Sequence, residues 1–486
     1  MTHRLRHLPL EAALAIGALV PFAALRLHQA QPGLLYPDGY QYLLMAKGLA
    51  AHGRPFLTLG PGGDTLLPSV DAAAKPLYPA LVALLHLLGI GWIAAARLVN
   101  AVAAALTVVL AALLARRLTG SWLGAAAAAA GCLVSRELAF WSGFAGPDSL
   151  AQALALATAL ALLSRRPYRG GILAALAVLA RPELVLLALS AALVGVALPQ
   201  LRQSALRSSL AFAIALAALL AVLRPPLAMP APGILATGIA ASALTAACFL
   251  ILRRGGGRAT ALAAGVIAAV ALTTALTGRS AGIELWARHD WPLLVAGAVG
   301  FLVAARTAHR RPAAIGLLLA GTMLALVYWE KNPGSERYPA LLTPLLAVLV
   351  GFAVVAPPAT RRLMAPATAG LLALGLALGA PAPSGPDAFP TVARELHTLP
   401  LRRLPVVTAA PDAYGVLLSR QPVRVARPGA RGLIVMDGAQ REYSPRLHVA
   451  GRVVARLDPG PGFLRPDGTV DRRAVTVVLG TVVASS

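Results

Sequence analysis

Long apolar stretches alternate with short polar turns over most of the chain, and their lengths predict its architecture. A stretch of roughly 18 or more apolar residues is long enough to cross a bilayer as a helix. Since a backbone in lipid must satisfy its own hydrogen bonds, each stretch is expected to be helical. The candidate spans are 9–27, 91–115, 121–135, 148–164, 168–182, 184–200, 208–224, 233–252, 259–277, 291–305, 312–329, 339–356 and 363–380. The pattern predicts an all-α polytopic membrane protein with about 13 transmembrane helices.

Two further segments differ from these spans. The apolar segment 76–90 is short and bounded by proline and glycine, so we expect a partly inserted or surface helix. After residue 380 the pattern changes to a Pro/Gly-rich linker, 381–386, and then to short runs rich in valine. Such runs, with helix-like pieces between them, predict a small soluble α/β domain over 387–486. The predicted strands are 405–408, 423–425, 432–436, 451–455 and 475–479.

Charge orients this arrangement. Pairs and triplets of arginine occupy alternate turns of the membrane module, which covers 1–380. With the N-terminus in the cytoplasm, every one of these clusters is cytoplasmic, as the positive-inside rule requires. The opposite turns contain nearly all the acidic residues of the module: Asp38, Asp64, Asp71, Glu137, Asp148, Glu183, Glu284, Asp290, Glu330 and Glu336. We therefore expect the functional face, the outer loop 28–78 and the C-terminal domain to lie on the extracytoplasmic side of the membrane.

Composition narrows the class of protein. The chain is 58% hydrophobic with a net charge of +24. A strongly basic chain suggests nucleic acid as a partner, but these arginines form no single basic face, so we expect none. Both cysteines, Cys132 and Cys248, lie in apolar runs and are expected to be buried thiols. The alanine, arginine and glycine bias is typical of a bacterial genome, which would place the protein in a bacterial cytoplasmic membrane.

Acidic residues of the outer loops are the first candidates for chemistry. Asp38 follows Pro37 and precedes Gly39 at the start of a stretch, 40–52, that we predict to be an amphipathic helix. Asp38 either caps this helix or acts as a general base, since a carboxylate within reach of a hydroxyl can take its proton. Glu137 and Asp148 in the second outer loop also have a structural and a catalytic interpretation. The structural one is an ion pair with Arg136 for Glu137 and a helix cap for Asp148.

Cations near the same face are candidates for binding a phosphate group. Arg181 precedes Pro182 and Glu183 at a predicted span boundary, where it either clamps Glu183 or binds phosphate through paired N–H donors. The late segment from Glu330 to Pro339 contains two further cations among acids and a tyrosine, and its alternative interpretation is a solvated turn. The predicted phosphate-binding residues are Lys75, Arg181, Lys331 and Arg337.

The order of these motifs resembles the GT-C superfamily of polyprenyl-phosphate-sugar-dependent glycosyltransferases, and most of all its protein O-mannosyltransferase and lipid A aminoarabinose transferase group. The resemblance covers roughly 10–380. The motifs that carry it are Pro37-Asp38-Gly39, Lys75-Pro76-Leu77, Gly146-Pro147-Asp148-Ser149, Arg181-Pro182-Glu183 and Glu336-Arg337-Tyr338. It implies a GT-C fold and an inverting transfer of sugar from a polyprenyl-phosphate donor to a hydroxyl of a glycan, lipid or protein.

The resemblance also implies roles for particular residues. The first-loop acid of the family is catalytic, which corresponds to Asp38, with Asp148 and then Glu137 as the second acid. The acceptor or sugar is expected to contact Tyr40, Tyr42, Glu183, Glu336 and Tyr338. Family members often have an adjacent acidic pair where this chain has Asp38 and Gly39, so the use of a divalent metal by Asp38 and Asp148 is left open. Two other classes are alternatives: a flippase of lipid-linked sugars, and a non-catalytic assembly subunit with the same fold.

Overall fold

A computed structural model describes most of the outer loops, the central helices and the C-terminal domain. The described residues are 38–60, 62–143, 145–185, 199–223, 281–306, 343–355, 358–378 and 388–483, the last with gaps at 402, 419, 439–440, 442–445, 447 and 465–469, and the isolated positions 188, 192 and 341. The predicted spans 9–27, 233–252, 259–277 and 312–329, and most of 184–200, lie outside these residues.

Helices account for the larger part of the described chain. They are α1 (Asp38–His52), α2 (Val70–Ala73), α3 (Leu77–Leu87), α4 (Trp92–Thr119), α5 (Trp122–Val134), α6 (Arg136–Gly143), α7 (Asp148–Leu163), α8 (Pro167–Ala180), α9 (Pro199–Leu223), α10 (Ala281–Arg306), α11 (Thr343–Ala353), α12 (Pro358–Leu378), α13 (Phe389–Thr398) and α14 (Pro411–Leu417). Helix α4 and residues 202–223 of α9 are long and apolar enough to cross a membrane, with mean hydropathies of 2.5 and 2.2. The total of about 13 spans stays a prediction.

The turn between α4 and α5 shows how the sequence ends one helix and starts the next. Gly120 ends α4 with a φ of 71°, and its N–H bonds to the carbonyl of Arg116. A positive φ is available to glycine at no steric cost, which explains the stop. Ser121 caps α5 by accepting a hydrogen bond from the N–H of Leu123. The guanidinium of Arg116 lies 3.4 Å from the ring centroid of Trp122, which fixes the turn.

Two predicted outer turns are helical, which corrects the sequence-based assignment. Helix α6 follows α5 after a bend of 61° and covers the start of the second outer loop. Helix α10 begins at Ala281, so Glu284 and Asp290 lie in a helix where the sequence predicted a turn. The helix breaks at Asp290, whose φ and ψ are −113° and 19°, two residues before Pro292. Proline removes a backbone donor and crowds the preceding turn, so it explains the break.

The C-terminal domain contains a five-stranded sheet, whose strands are β3 (Val406–Thr408), β4 (Val423–Val425), β5 (Arg431–Met436), β6 (His448–Leu457) and β9 (Val475–Val483). Their order in the sheet is β4-β3-β5-β9-β6. Strand β3 is parallel to β4 and β5, whereas β9 is antiparallel to β5 and β6. All five predicted strands are therefore confirmed, and the α/β class with them. Four two-residue strands were not predicted: β1 (Leu57–Thr58), β2 (Thr65–Leu66), β7 (Phe463–Leu464) and β8 (Val470–Asp471).

The outer loop packs directly on this sheet. Strands β1 and β2 form a small hairpin whose backbone bonds to the edge strand β4: the N–H of Val423 donates to the carbonyl of Leu59, and the N–H of Asp64 to the carbonyl of Val423. The carboxylate of Asp64 accepts a further hydrogen bond from the N–H of Val425 at 3.0 Å. The hairpin thereby covers an edge that would otherwise expose unpaired backbone groups.

Helix α1 is the second connection between the outer loop and the domain. The sequence predicted an amphipathic helix over 40–52. The helix is confirmed, but its amphipathic character is wrong, because eight residues on several sides of α1 are buried. Helix α1 lies between α3 on one side and α14 of the C-terminal domain on the other. Membrane module and C-terminal domain thus share one hydrophobic cluster, which includes Tyr40 and Tyr78 from the module and Phe389 and Tyr414 from the domain.

Candidate active site

Asp38 is the first residue of α1 and is partly exposed at the junction between the outer loop and the C-terminal domain. A carboxylate in the first turn is favoured by the N–H groups and the dipole of the helix, which explains why the helix begins there. The negative charge of Asp38 also acts on Asp412, the second residue of α14. Asp38 therefore lies where a residue of the membrane module faces one of the C-terminal domain.

A hydrogen-bonded relay joins the two sides of this junction. Gln41, one turn after Asp38, donates from Nε2 to the Asp412 carboxylate at 3.0 Å, and its Oε1 accepts from the Ser69 hydroxyl at 2.9 Å. Burial raises the pKa of the Asp412 carboxyl to about 6, the hydrogen bond from Gln41 lowers it, and the charge of Asp38 raises it. Asp412 and Gln41 were not predicted as site residues, because no local pattern marks them.

Aromatic rings fix α1 from both sides. Tyr40 meets Phe389 edge to face with ring centroids 5.6 Å apart, and Phe389 meets Tyr414 in the same way at 5.6 Å. On the other side, Tyr42 meets Tyr78 of α3 at 5.7 Å. Tyr40 and Tyr42, predicted to contact acceptor or sugar, are 0% and 1% exposed. Their rings lie in the core, where they orient the helix that begins at Asp38.

A buried ion-pair cluster lies beyond Tyr78. Its centre is Arg181, which is 0% exposed; it pairs with Asp148 at the start of α7 and lies 3.6 Å from a carboxylate oxygen of Glu183. The Tyr78 hydroxyl donates a hydrogen bond to the carbonyl of Ala96 at 3.3 Å, and it interacts electrostatically with the Asp148 carboxylate. The predicted clamp between Arg181 and Glu183 is present, and Asp148 joins it as a second anion.

Asp148 differs from the cap that the sequence suggested. The N-cap position of α7 is Pro147, which has no side-chain cap, and Asp148 is the first helical residue. Two carboxylates surround the one guanidinium, so the Arg181 charge is compensated within the protein. Lys75 lies just before α3, is 2% exposed, and is the remaining described cation predicted to bind phosphate.

Glu137 belongs to a separate group at the two helix breaks. It pairs with His289, where the sequence suggested Arg136, and accepts a hydrogen bond from the indole N–H of Trp141 at 2.9 Å. The neighbouring Asp290 accepts from the hydroxyl of Ser135 at 2.7 Å and from the backbone N–H of Arg136 at 2.8 Å. Asp290 thus satisfies the N-terminal donors of α6 from another helix, a structural role.

A crevice runs between α4, the α5–α6 bend and α7. Small and hydroxyl-bearing side chains line it, among them Thr107, Ser135, Ser149 and Cys132. Cys132 is buried, as predicted. The remaining predicted site residues, Lys331, Glu336, Arg337 and Tyr338, lie outside the described residues, and so does Cys248.

The side chains that could hold a divalent metal are those of His, Cys, Asp and Glu. Within the described part of the chain, no three side chains of His, Cys, Asp or Glu are grouped so that they could hold a metal ion. Asp148 is engaged by a guanidinium, and Asp38 faces a carboxyl rather than a second ligand set.

Comparison with known proteins defines the fold. No protein-family model matches the sequence, and no curated protein is significantly similar to it. Among solved structures, the apo oligosaccharyltransferase of Archaeoglobus fulgidus aligns at a TM-score of 0.55 and 14% identity over 89% of this chain and 70% of its own. The oligosaccharyltransferase AglB of the same organism, in complex with an inhibitory peptide and a dolichol-phosphate, gives 0.52 and 15% over 84% of this chain and 64% of AglB.

Two bacterial transferases are also similar. The arabinofuranosyltransferase AftD from Mycobacteria aligns at a TM-score of 0.52 and 17% identity over 97% of this chain, which spans only 40% of AftD. ArnT from Cupriavidus metallidurans, bound to undecaprenyl phosphate, aligns over 97% of this chain and all of ArnT at 14% identity with a TM-score of 0.46. This chain shares its fold with these solved oligosaccharyltransferase and arabinofuranosyltransferase structures, which agrees with the fold that the sequence motifs implied.

Proposed function

We propose that this protein is a membrane glycosyltransferase that moves a sugar from a polyprenyl-phosphate donor to an acceptor hydroxyl on the outer face of a bacterial cytoplasmic membrane. One observation carries the proposal: in a GT-C fold, the partly exposed carboxylate of Asp38 begins a helix fixed between the membrane module and the C-terminal domain. AglB binds dolichol-phosphate, which supports a lipid-phosphate donor here.

In the proposed reaction, Asp38 is the general base. Its carboxylate takes the proton of the acceptor hydroxyl while the hydroxyl oxygen bonds to C1 of the sugar and the bond from C1 to the phosphate oxygen breaks. The polyprenyl phosphate leaves with the electron pair, so a cation near its phosphate stabilises the transition state. Attack opposite the leaving group inverts the configuration at C1.

Lys75 is the described cation that we assign to the phosphate. Its position before α3 places it in the same outer loop as Asp38, and it is almost fully buried, which strengthens its electrostatic interaction. Arg181 has a different proposed role, because Asp148 and Glu183 already compensate its charge. Arg181 and Asp148 fix the start of α7 and the position of Tyr78, and so act by positioning. Lys331 and Arg337 stay candidates for the same phosphate.

Recognition of the acceptor is assigned to the junction of α1 with the C-terminal domain, since Asp38 lies there. Removing 385–486 would uncover the aromatic contacts of Tyr40 and is therefore a poor test of that role. A substitution at Asp412, which reaches Gln41 without forming the aromatic core, is the sharper one.

The experiment is a transfer assay in proteoliposomes with a panel of radiolabelled polyprenyl-phosphate sugars. Wild type is compared with Asp38→Asn and Lys75→Met, each with and without chelator. We expect transfer from at least one donor and its loss in both variants, and the chelator arm decides whether a divalent metal takes part. No turnover with any donor, from protein that unfolds cooperatively and binds the lipid, would support an assembly subunit or a flippase instead. Full activity of Asp38→Asn would remove this carboxylate from the mechanism.

A further inference from the structure

The outer edge of the C-terminal sheet is long and open. Strand β6 is the last strand of the sheet and has ten residues, from His448 to Leu457. It pairs with β9 on one side, and on its other side no described strand pairs with it. Residues 450–453 are all exposed, and Val453 is 51% exposed. The opposite edge of the sheet, β4, is covered by the β1–β2 hairpin, so the two edges differ.

The register identifies the backbone groups that face outward. Val482 exchanges its backbone hydrogen bonds with the residues before β5, at Gly429 and Ala430. In an antiparallel sheet the N–H and C=O groups of one residue point to the same side, and successive residues alternate. Thr481 and Val483 therefore face β6, where they pair with Ala450 and His448. The outward groups of β6 are those of the alternate positions Val449, Gly451 and Val453.

The same edge is basic. His448, Arg452 and Arg456 lie on the strand and Arg446 just before it, all exposed, and no acidic residue occurs between 446 and 457. The first acid is Asp458, immediately after the strand. Within the domain, Asp412, Asp437 and Asp471 are buried, so they add little negative charge to the surface. Natural edges are protected by charge, by bulges, by being short or by being covered. This edge has its arginines and a register shift between Val453 and Ala455, but it spans ten residues and is regular from His448 to Val453.

We propose that β6 binds an extended, acidic polypeptide segment of a partner protein as an added strand of the sheet. The partner backbone would bond to the outward groups at Val449, Gly451 and Val453, and its carboxylates would face Arg452, since the register shift between Val453 and Ala455 turns Arg456 to the opposite face of the sheet. Main-chain bonding gives such complexes affinity and alternate side chains give them specificity. A second copy of this chain fits poorly, because it would bring an identical basic edge, with the same exposed arginines, against this one.

The test uses the full chain in detergent and fluorescence anisotropy of a labelled peptide of alternating glutamate and valine. Three comparison peptides are assayed beside it. Two are N-methylated on alternate residues, one on the glutamates and one on the valines, and the third has lysine in place of glutamate. We expect the parent to bind, one N-methylated form to lose at least about tenfold in affinity, corresponding to about 1.4 kcal/mol, and the lysine peptide not to bind.

A matched pair of variants places the site. Val453→Pro removes an outward N–H and leaves the bonds to β9, whereas Val453→Thr keeps the N–H and the strand propensity. We expect Val453→Pro to weaken parent binding at least about tenfold and Val453→Thr to bind like wild type. Absence of parent binding to the wild-type chain would overturn the proposal. So would equal binding of both N-methylated forms, which would show attraction by charge alone. These results are independent of sugar transfer.

Discussion

Two carboxylates on the predicted outer side, Asp38 and Asp148, both occupy the first turn of a helix, yet their surroundings are opposite. Asp38 is partly exposed and faces the C-terminal domain, and Asp148 is 4% exposed and paired with Arg181. A base must reach the hydroxyl that it deprotonates, whereas a buried ion pair is costly to disturb. The comparison indicates that position in a helix does not define a role, and that the exposed acid is suited to chemistry and the paired acid to positioning.

The largest expected effect is on catalysis at Asp38. Asp38→Asn keeps the size of the side chain and its place in the helix but removes the base, so we expect transfer to fall by about 10²–10⁴-fold. Thermal unfolding should change little, because the side chain is partly exposed. The matched variant is Asp64→Asn, another acid of the same loop, which should retain transfer. A loss of stability in Asp38→Asn that accounts for its loss of activity would reverse the comparison.

The next effect is on stability at the ion-pair cluster. Arg181→Met would leave Asp148 and Glu183 buried without their cation, which typically costs about 3–5 kcal/mol of unfolding free energy. Circular dichroism during thermal unfolding in detergent measures it. Arg117→Met is the control, since Arg117 is exposed to solvent and its guanidinium is 3.5 Å from the carbonyl of Leu163. Wild-type stability in Arg181→Met would mean that the cluster is hydrated, and Asp148 would again be a candidate for catalysis.

A third prediction concerns pH at the junction. The pKa of Asp412 is raised to about 6, so between about pH 4 and pH 6 the folded protein binds more protons than the unfolded chain. Stability should therefore fall as pH rises through this interval. Asp412→Asn cannot ionise, and should be more stable than wild type at pH 7 by about 2–3 kcal/mol but not at pH 4.

Unfolding at the two pH values, with Asp458→Asn as an exposed control in the same domain, measures this difference. A parallel shift in the pH profile of transfer would show that Asp412 also influences Asp38. The same stability difference at both pH values would exclude ionisation of Asp412 as the cause.

The sequence predicted the helices and strands better than it predicted which side chains contact each other. Runs of β-branched residues identified the five strands of the C-terminal sheet, and apolar length identified α4, α5 and α7, because these signals are local. The contact between Gln41 and Asp412 joins positions 371 residues apart, and that between Ser135 and Asp290 joins positions 155 apart. Charge patterns group such residues on one face, but pairing depends on how the helices pack. The break at Asp290 was missed because the prediction began the span at the next residue.

The smallest effect tests the link between the two acids. Tyr78 touches Tyr42 of α1 with its ring and Ala96 with its hydroxyl, and it lies near Asp148. Tyr78→Phe keeps the ring contact but removes the hydroxyl, with its 3.3 Å hydrogen bond to the carbonyl of Ala96 and its hydrogen bond with the backbone of Gly146. This should cost about 1–2 kcal/mol of unfolding free energy. Tyr168→Phe, at an exposed tyrosine, is the control. If transfer falls by more than the stability loss explains, the hydroxyl orients Asp148 toward the site. If transfer and stability both match wild type, the ring alone connects α1 to the ion-pair cluster.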